Sequence, residues 1–159
     1  MALAALSGDA QRIIFCQLCN TLDPRVAVTF SSASSELRAL TQAERQQLRA
    51  DYEAAAALGR KAGMRSCKEL REAKELQWAT VINICAAELA TLGKLGSVLP
   101  ALERLTISEF GAGPDGVLRL AEKLGAGAFP AVVMLTIDST RVGDAGASAL
   151  AAALGRGAL

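Results

Sequence analysis

The chain has 159 residues, with 17 basic and 16 acidic side chains and no histidine. A formal charge of +1 gives no global electrostatic reason to expect nucleic acid, an anionic membrane or an acidic substrate. Without imidazole, neither a Ser-His nor a Cys-His nucleophilic pair can be assembled from this chain.

Hydrophobic residues make up 52% of the sequence but aromatic ones only 4%, so core volume must come from Leu, Ile and Val, and the many alanines favour helices. The N-terminal "MALAALSGDAQR" lacks a basic segment followed by a long apolar run, and it is not Arg-rich. The expectation is an intracellular compartment, cytoplasmic or nuclear, with an organelle left open for a chain whose transit peptide has been removed. Ile13, Ile14, Gln17 and Leu18 form an apolar stripe on a first helix. Asp23-Pro24 then makes a turn whose proline suits the first turn of the next helix. Val26, Ala27, Phe30, Ala33 and Leu37 predict that second helix.

Cys16-x-x-Cys19 has zinc-ligand spacing, but Cys67 and Cys85 stand alone, and a structural zinc site takes four Cys or His ligands. A thioredoxin-like use of the pair would require a strand just before it. The cysteines therefore read as buried thiols, and neither a metal nor a cofactor is expected. Further on, Thr41 with Glu44 and Ser66 with Glu69 match the S/T-x-x-E capping box. They predict helices over about 42–60 and 67–79, with Gly59 and Gly63 in the break.

Arg60, Lys61, Arg65, Lys68, Arg71 and Lys74 against Glu69 and Glu72 make the one local charge excess. No aromatic residues interleave them for base stacking, so a solvated helix face with intrahelical pairs is favoured over an anion contact. Residues 78–92 are the most apolar stretch, but Asn83 and Glu88 interrupt it, and it is shorter than the roughly 20 residues a membrane-spanning helix needs. No transmembrane segment is expected.

The last third of the chain repeats itself. "LPALERLTIS" at 99–108 and "FPAVVMLTID" at 129–138 share one apolar spacing. At the same offset Gly113, Gly116, Leu120, Ala121, Leu124, Gly125 and Gly127 match Gly143, Gly146, Leu150, Ala151, Leu154, Gly155 and Gly157. Leu102, Leu105 and Ile107, then Val132, Leu135 and Ile137, alternate as in a strand with one buried face. Val117, Leu120, Ala121 and Leu124, then Ala147, Leu150, Ala151 and Leu154, follow helical spacing. Gly125 and Gly155 sit where helix C-caps belong. Each unit reads as strand, turn, helix, turn, and stacking would bury what one unit cannot. "GAGPDG" at 111–116 is glycine-rich and precedes a helix, but it lacks the Lys-Ser/Thr of a phosphate loop. Its counterpart "RVGDAG" marks it as turn chemistry.

The spacing L-x-x-L-x-L, then V/I-G-x-x-G, then a helix ending L-A-x-x-L resembles leucine-rich repeats of the ribonuclease-inhibitor-like type over about residues 99–159. "RVGDAGASALAAALGRG" carries the likeness best. Phe110 and Thr140 stand where that family usually has Asn or Cys. Residues 79–93 echo the helix end and read as the helix of a degenerate capping repeat. The resemblance implies an α/β fold in which a helical N-terminal region, residues 1–78, caps a short leucine-rich-repeat solenoid with a small parallel sheet, residues 79–159. It also implies protein binding on the exposed sheet face, where alternation places Arg104, Thr106, Ser108, Met134, Thr136 and Asp138.

Residues 6–40, "LSGDAQRIIFCQLCNTLDPRVAVTFSSASSELRAL", resemble an F-box. Leu6, Ile13, Ile14, Leu18, Leu22, Asp23, Pro24, Leu37 and Arg38 match its pattern, while Ser7 replaces the usual proline. That resemblance implies docking through Leu6, Ile13, Ile14, Leu18, Leu22 and Pro24 on the adaptor subunit of a cullin-type ubiquitin ligase. The same helices also suit a plain N-terminal cap. The expected function is therefore non-enzymatic protein binding within a larger assembly, with an F-box-like substrate adaptor as the alternative.

Overall fold

A computed structural model describes residues 6–78, 84–108, 113–138 and 142–156, except for the side chain of Ser108. The fold is mixed α/β and mostly helical, with one three-stranded parallel sheet. The chain divides into two compact units, Met1–Glu53 and Ala54–Leu159. Residues 54–78, grouped by sequence with the helical region, thus cluster with the sheet.

The first unit holds α1 (Gly8–Leu18), α2 (Arg25–Ser31), α3 (Ser35–Leu40) and the start of α4 (Gln42–Lys61). The Ser7 hydroxyl caps α1 by accepting the Ala10 amide at 3.3 Å. Asn20 Oδ1 accepts the Leu22 and Asp23 amides at 2.9 and 3.2 Å, an Asx turn that satisfies the backbone between helices. Phe15, Ala27 and Leu48 form the core, with Leu18, Cys19 and Phe30 packed on it.

The single helix expected through Val26 to Leu37 is two helices. The Ser31 and Ser32 hydroxyls both donate to the Val28 carbonyl, at 2.9 and 2.7 Å, and extended Ser34 restarts the chain by accepting the Leu37 amide. A serine-rich stretch offers the backbone local partners that compete with a continuous helix. At the start of α4, the Thr41 hydroxyl donates back to the Leu37 carbonyl at 2.8 Å, while Glu44 pairs with Arg12. The cysteines also differ from expectation: Cys67 is buried, but Cys16 and Cys85 are exposed and Cys19 is half-buried.

In the second unit α4 ends in a Schellman motif. Met64 donates to the Gly59 carbonyl and Gly63 to that of Arg60, with Gly63 at φ +79°, where glycine carries no steric cost. Next come α5 (Cys67–Glu72) and β1 (Glu75–Trp78). Ser66 starts α5 as expected by accepting the Glu69 amide. The helix expected to run to 79 stops at Glu72, however, because Ala73 turns extended and Leu76 and Trp78 are drawn into the sheet core, both fully buried.

The remaining elements are α6 (Ala86–Leu95), a 3-10 turn (Gly96–Val98), β2 (Arg104–Ser108), α7 (Gly113–Gly125), β3 (Met134–Asp138) and α8 (Gly143–Gly155). The helix expected over 79–93 begins later than that, at Ala86; Ile84 lies in a bridge, and 79–83 lie outside the described residues.

The strands run in sequence order β1-β2-β3, all parallel. Leu105 sits beside Leu76 on one side and Leu135 on the other, and Ile107 beside Trp78 and Ile137. Helices α6, α7 and α8 pack successively in the same order.

Small details recur from unit to unit. The Lys74 carbonyl accepts the Glu103 and Arg104 amides at 2.8 and 2.9 Å, and the Glu103 carbonyl accepts those of Val133 and Met134 at 2.9 and 3.1 Å. Turns with proline in second place close Leu102 on Leu99 and Val132 on Phe129, each at 3.3 Å. Gly113 and Gly143 open α7 and α8 at φ +61° and +66°. Gly127, not Gly125, supplies the left-handed residue after α7, with Ala128 bonded to the Lys123 carbonyl. A Cβ at Gly125 would instead meet the end of the Arg156 side chain.

Candidate functional site

Alternation in the parallel strands sends Leu105 and Ile107 into the core and leaves Arg104 exposed and Thr106 half-buried. On β3 the expected outward residues Met134, Thr136 and Asp138 are exposed. Ser108 belongs to β2, beside Asp138, but its side chain lies outside the described residues, as do Phe110 and Thr140. The register sets Glu75, Arg104 and Met134 in one row and Gln77, Thr106 and Thr136 in the next.

Glu75 and Gln77, both exposed, therefore extend the face by a strand that sequence reading placed in a helix. The signal was present: Leu76-Gln77-Trp78 repeats the apolar-polar-apolar step of Leu105-Thr106-Ile107.

Apart from Met134, the face is polar and nearly balanced in charge. Arg104 Nη2 lies 3.3 Å from Glu75 Oε2, and Lys74 Nζ lies 3.3 Å from Glu103 Oε1 at the strand entrances. Exposed pairs of this kind are worth about 0–1 kcal/mol, so they add little to the stability of the fold. The central row of Gln77, Thr106 and Thr136 offers neutral donors and acceptors, chemistry suited to hydrogen-bonding a partner's surface.

In the first unit the six expected docking residues differ in exposure. Leu6 is exposed and Ile13 is 62% exposed, whereas Leu22 is only 5% exposed; Ile14, Leu18 and Pro24 are half-buried. Leu18 joins Val26, Thr29 and Phe30, with Asp23 and Arg25, in lining an open apolar groove of about 570 Å³ between α1 and α2. Asp23 and Arg25 pair at its edge through two bonds of 2.7 and 2.9 Å.

The Arg12 guanidinium, bonded to Glu44, holds that carboxyl below the usual carboxylate range. Burial, reinforced by Cys16 and Glu44, pushes the Cys19 thiol up to about 11, so it stays protonated at neutral pH and is a poor nucleophile or metal ligand. Burial also works to raise Glu88, but the Lys61 ammonium at 2.6 Å and the Cys85 amide at 2.9 Å outweigh it and leave the carboxyl lowered.

Within the basic segment, Lys68 makes an intrahelical pair with Glu72 at 3.9 Å, while Lys61 and Lys74 reach Glu88 and Glu103 outside it. Among the described residues, no group of three or more Cys, Asp or Glu side chains is placed to hold a metal ion, and no helix is long and apolar enough to cross a membrane.

No protein-family model matches the chain, and no curated protein or solved structure matches it.

Proposed function

We propose that the chain is a non-enzymatic protein-interaction module, a binding or structural subunit of a larger assembly, built as a short leucine-rich-repeat solenoid behind a helical cap. The observation that carries this reading is the three-strand row of Gln77, Thr106 and Thr136, held in register and turned away from the buried Leu and Ile positions. Partner recognition on such a face is polar and adjustable, which fits an interface rim and hydrogen-bonded contact better than a closed reaction pocket. The reading does not depend on a cofactor.

A second reading is favoured by one specific observation. Ile13 is 62% exposed, and Val26 and Val28 are also exposed large apolar residues of the first unit. Solvent-facing apolar side chains on a small helical unit suit an F-box-like contact with a ubiquitin-ligase adaptor subunit.

The test is affinity capture of the full chain from its own cells, with stoichiometric partners identified by mass spectrometry, repeated with Thr106→Arg and Ile13→Asp. The first reading expects a fixed set of partners that Thr106→Arg releases and Ile13→Asp retains. Ubiquitin-ligase subunits lost only with Ile13→Asp would establish the second reading, and partners indifferent to Thr106→Arg would contradict the first.

A further inference from the structure

The two ends of the sheet are unlike. At the β1 end Leu76 and Trp78 are fully buried; at the β3 end Val133 is 76% exposed, Met134 55% and Leu154 44%. Leu135 and Ile137, counterparts of the fully buried Leu105 and Ile107, are only half-buried. No described strand pairs with the outer edge of β3, which leaves backbone donors and acceptors beside an apolar seam, a template for strand pairing.

We propose that this edge is occupied by a second copy of the same chain, with β3 pairing antiparallel to β3 of the partner about a two-fold axis at Thr136. This goes beyond the reading above, since it uses the edge of the sheet and leaves the face of β1 and β2 free.

Three features favour a second copy arranged head to head. First, the β1 end offers no apolar seam, so an identical chain can match the open end only with its own open end. The contact is then isologous and closes at two subunits. Second, the strand is self-complementary about Thr136. Leu135 falls opposite the partner's Ile137, both on the helix side, and Met134 falls opposite the partner's Asp138, so no like charges meet. Third, α8 beside it bears one charged residue, Asp144, so little repulsion opposes the approach of its copy.

The test is sedimentation equilibrium of the full chain over a wide concentration range, with emission from the single tryptophan, buried Trp78, as the check that each variant is folded. The expected result is a reversible monomer-dimer equilibrium. Thr136→Lys, which sets two ammonium groups opposite each other at the axis, raises the dissociation constant about tenfold or more. Met134→Lys, which sets an ammonium opposite the partner's Asp138, leaves it unchanged or lowers it. A chain that is monomeric at every concentration overturns the proposal. So does a dimer indifferent to Thr136→Lys, or one that Met134→Lys weakens as much as Thr136→Lys does.

Discussion

The stretches 99–128 and 129–156 carry nearly the same spacing and adopt the same strand and helix, yet they are buried very differently. In the first, Leu105, Ile107, Val117, Leu120 and Leu124 are sealed from solvent. In the second, Leu135, Ile137 and Leu150 are half-buried, Ala147 is exposed and Leu154 is 44% exposed. Local sequence sets the conformation of each unit, while burial depends on whether another unit lies on its far side. An identical residue therefore contributes differently to stability at equivalent positions of the repeat.

The largest expected difference comes from truncating matched leucines. Leu105→Ala should cost about 3–4 kcal/mol, as for a fully enclosed leucine, and Leu135→Ala about 1–2 kcal/mol, because its site is already half open. Denaturant unfolding followed by Trp78 emission, at a protein concentration low enough to keep the chain monomeric, measures both in the same unit. Equal losses under those conditions would mean the β3 end is covered within the single chain.

Glycines give a smaller contrast. A Cβ at Gly96 would run into the Ala128 carbonyl oxygen, a backbone atom that cannot move aside cheaply, so Gly96→Ala should cost about 1–3 kcal/mol. At the matched helix ends, Gly125→Ala displaces only the flexible end of Arg156, and a Cβ at Gly155 meets nothing within 4 Å. Gly155→Ala should be neutral or stabilising by up to about 1 kcal/mol, read as a shift in the same unfolding midpoint.

Acid should produce a smaller effect still, at the start of α6. Glu88, in the first turn of α6, is a carboxyl whose folded-state pKa is lowered by Lys61 and the Cys85 amide despite its burial. Its contribution is fully present above the ordinary glutamate value of about 4.3 and fades as the pH falls through the lowered one. Glu88→Gln should therefore reduce stability at neutral pH and make the acid limb of the stability profile shallower. Equal acid sensitivity in wild type and variant would show that the clamp contributes nothing.

The repeat was legible because both of its periodicities are written in large aliphatic side chains: alternate Leu and Ile for β2 and β3, then Leu and Ala at helical spacing for α7 and α8. The outward face followed from that alternation, so Arg104, Thr106, Met134, Thr136 and Asp138 could be placed without coordinates. β1 was not legible in the same way. Ser66 and Glu69 do start a helix, and Glu75-Leu76-Gln77 are good helix formers, so the extended state is chosen by pairing with β2, a contact 29 residues away in the register of Glu75 with Arg104. With β1 went Glu75 and Gln77, a third of the face's width. The break between α2 and α3 was hidden for a different reason: it is made by serine hydroxyls bonding to one carbonyl, and apolar periodicity does not record that.

Hydrogen exchange at low protein concentration, resolved amide by amide, compares the two stretches most directly. The structure predicts slow exchange along β2, whose backbone is flanked by strands on both sides, and exchange faster by an order of magnitude or more at the amides of β3 and along α8. Equal protection of β2 and β3 under those conditions would contradict the open end, and with it the claim that one repeat pattern yields two different states of burial.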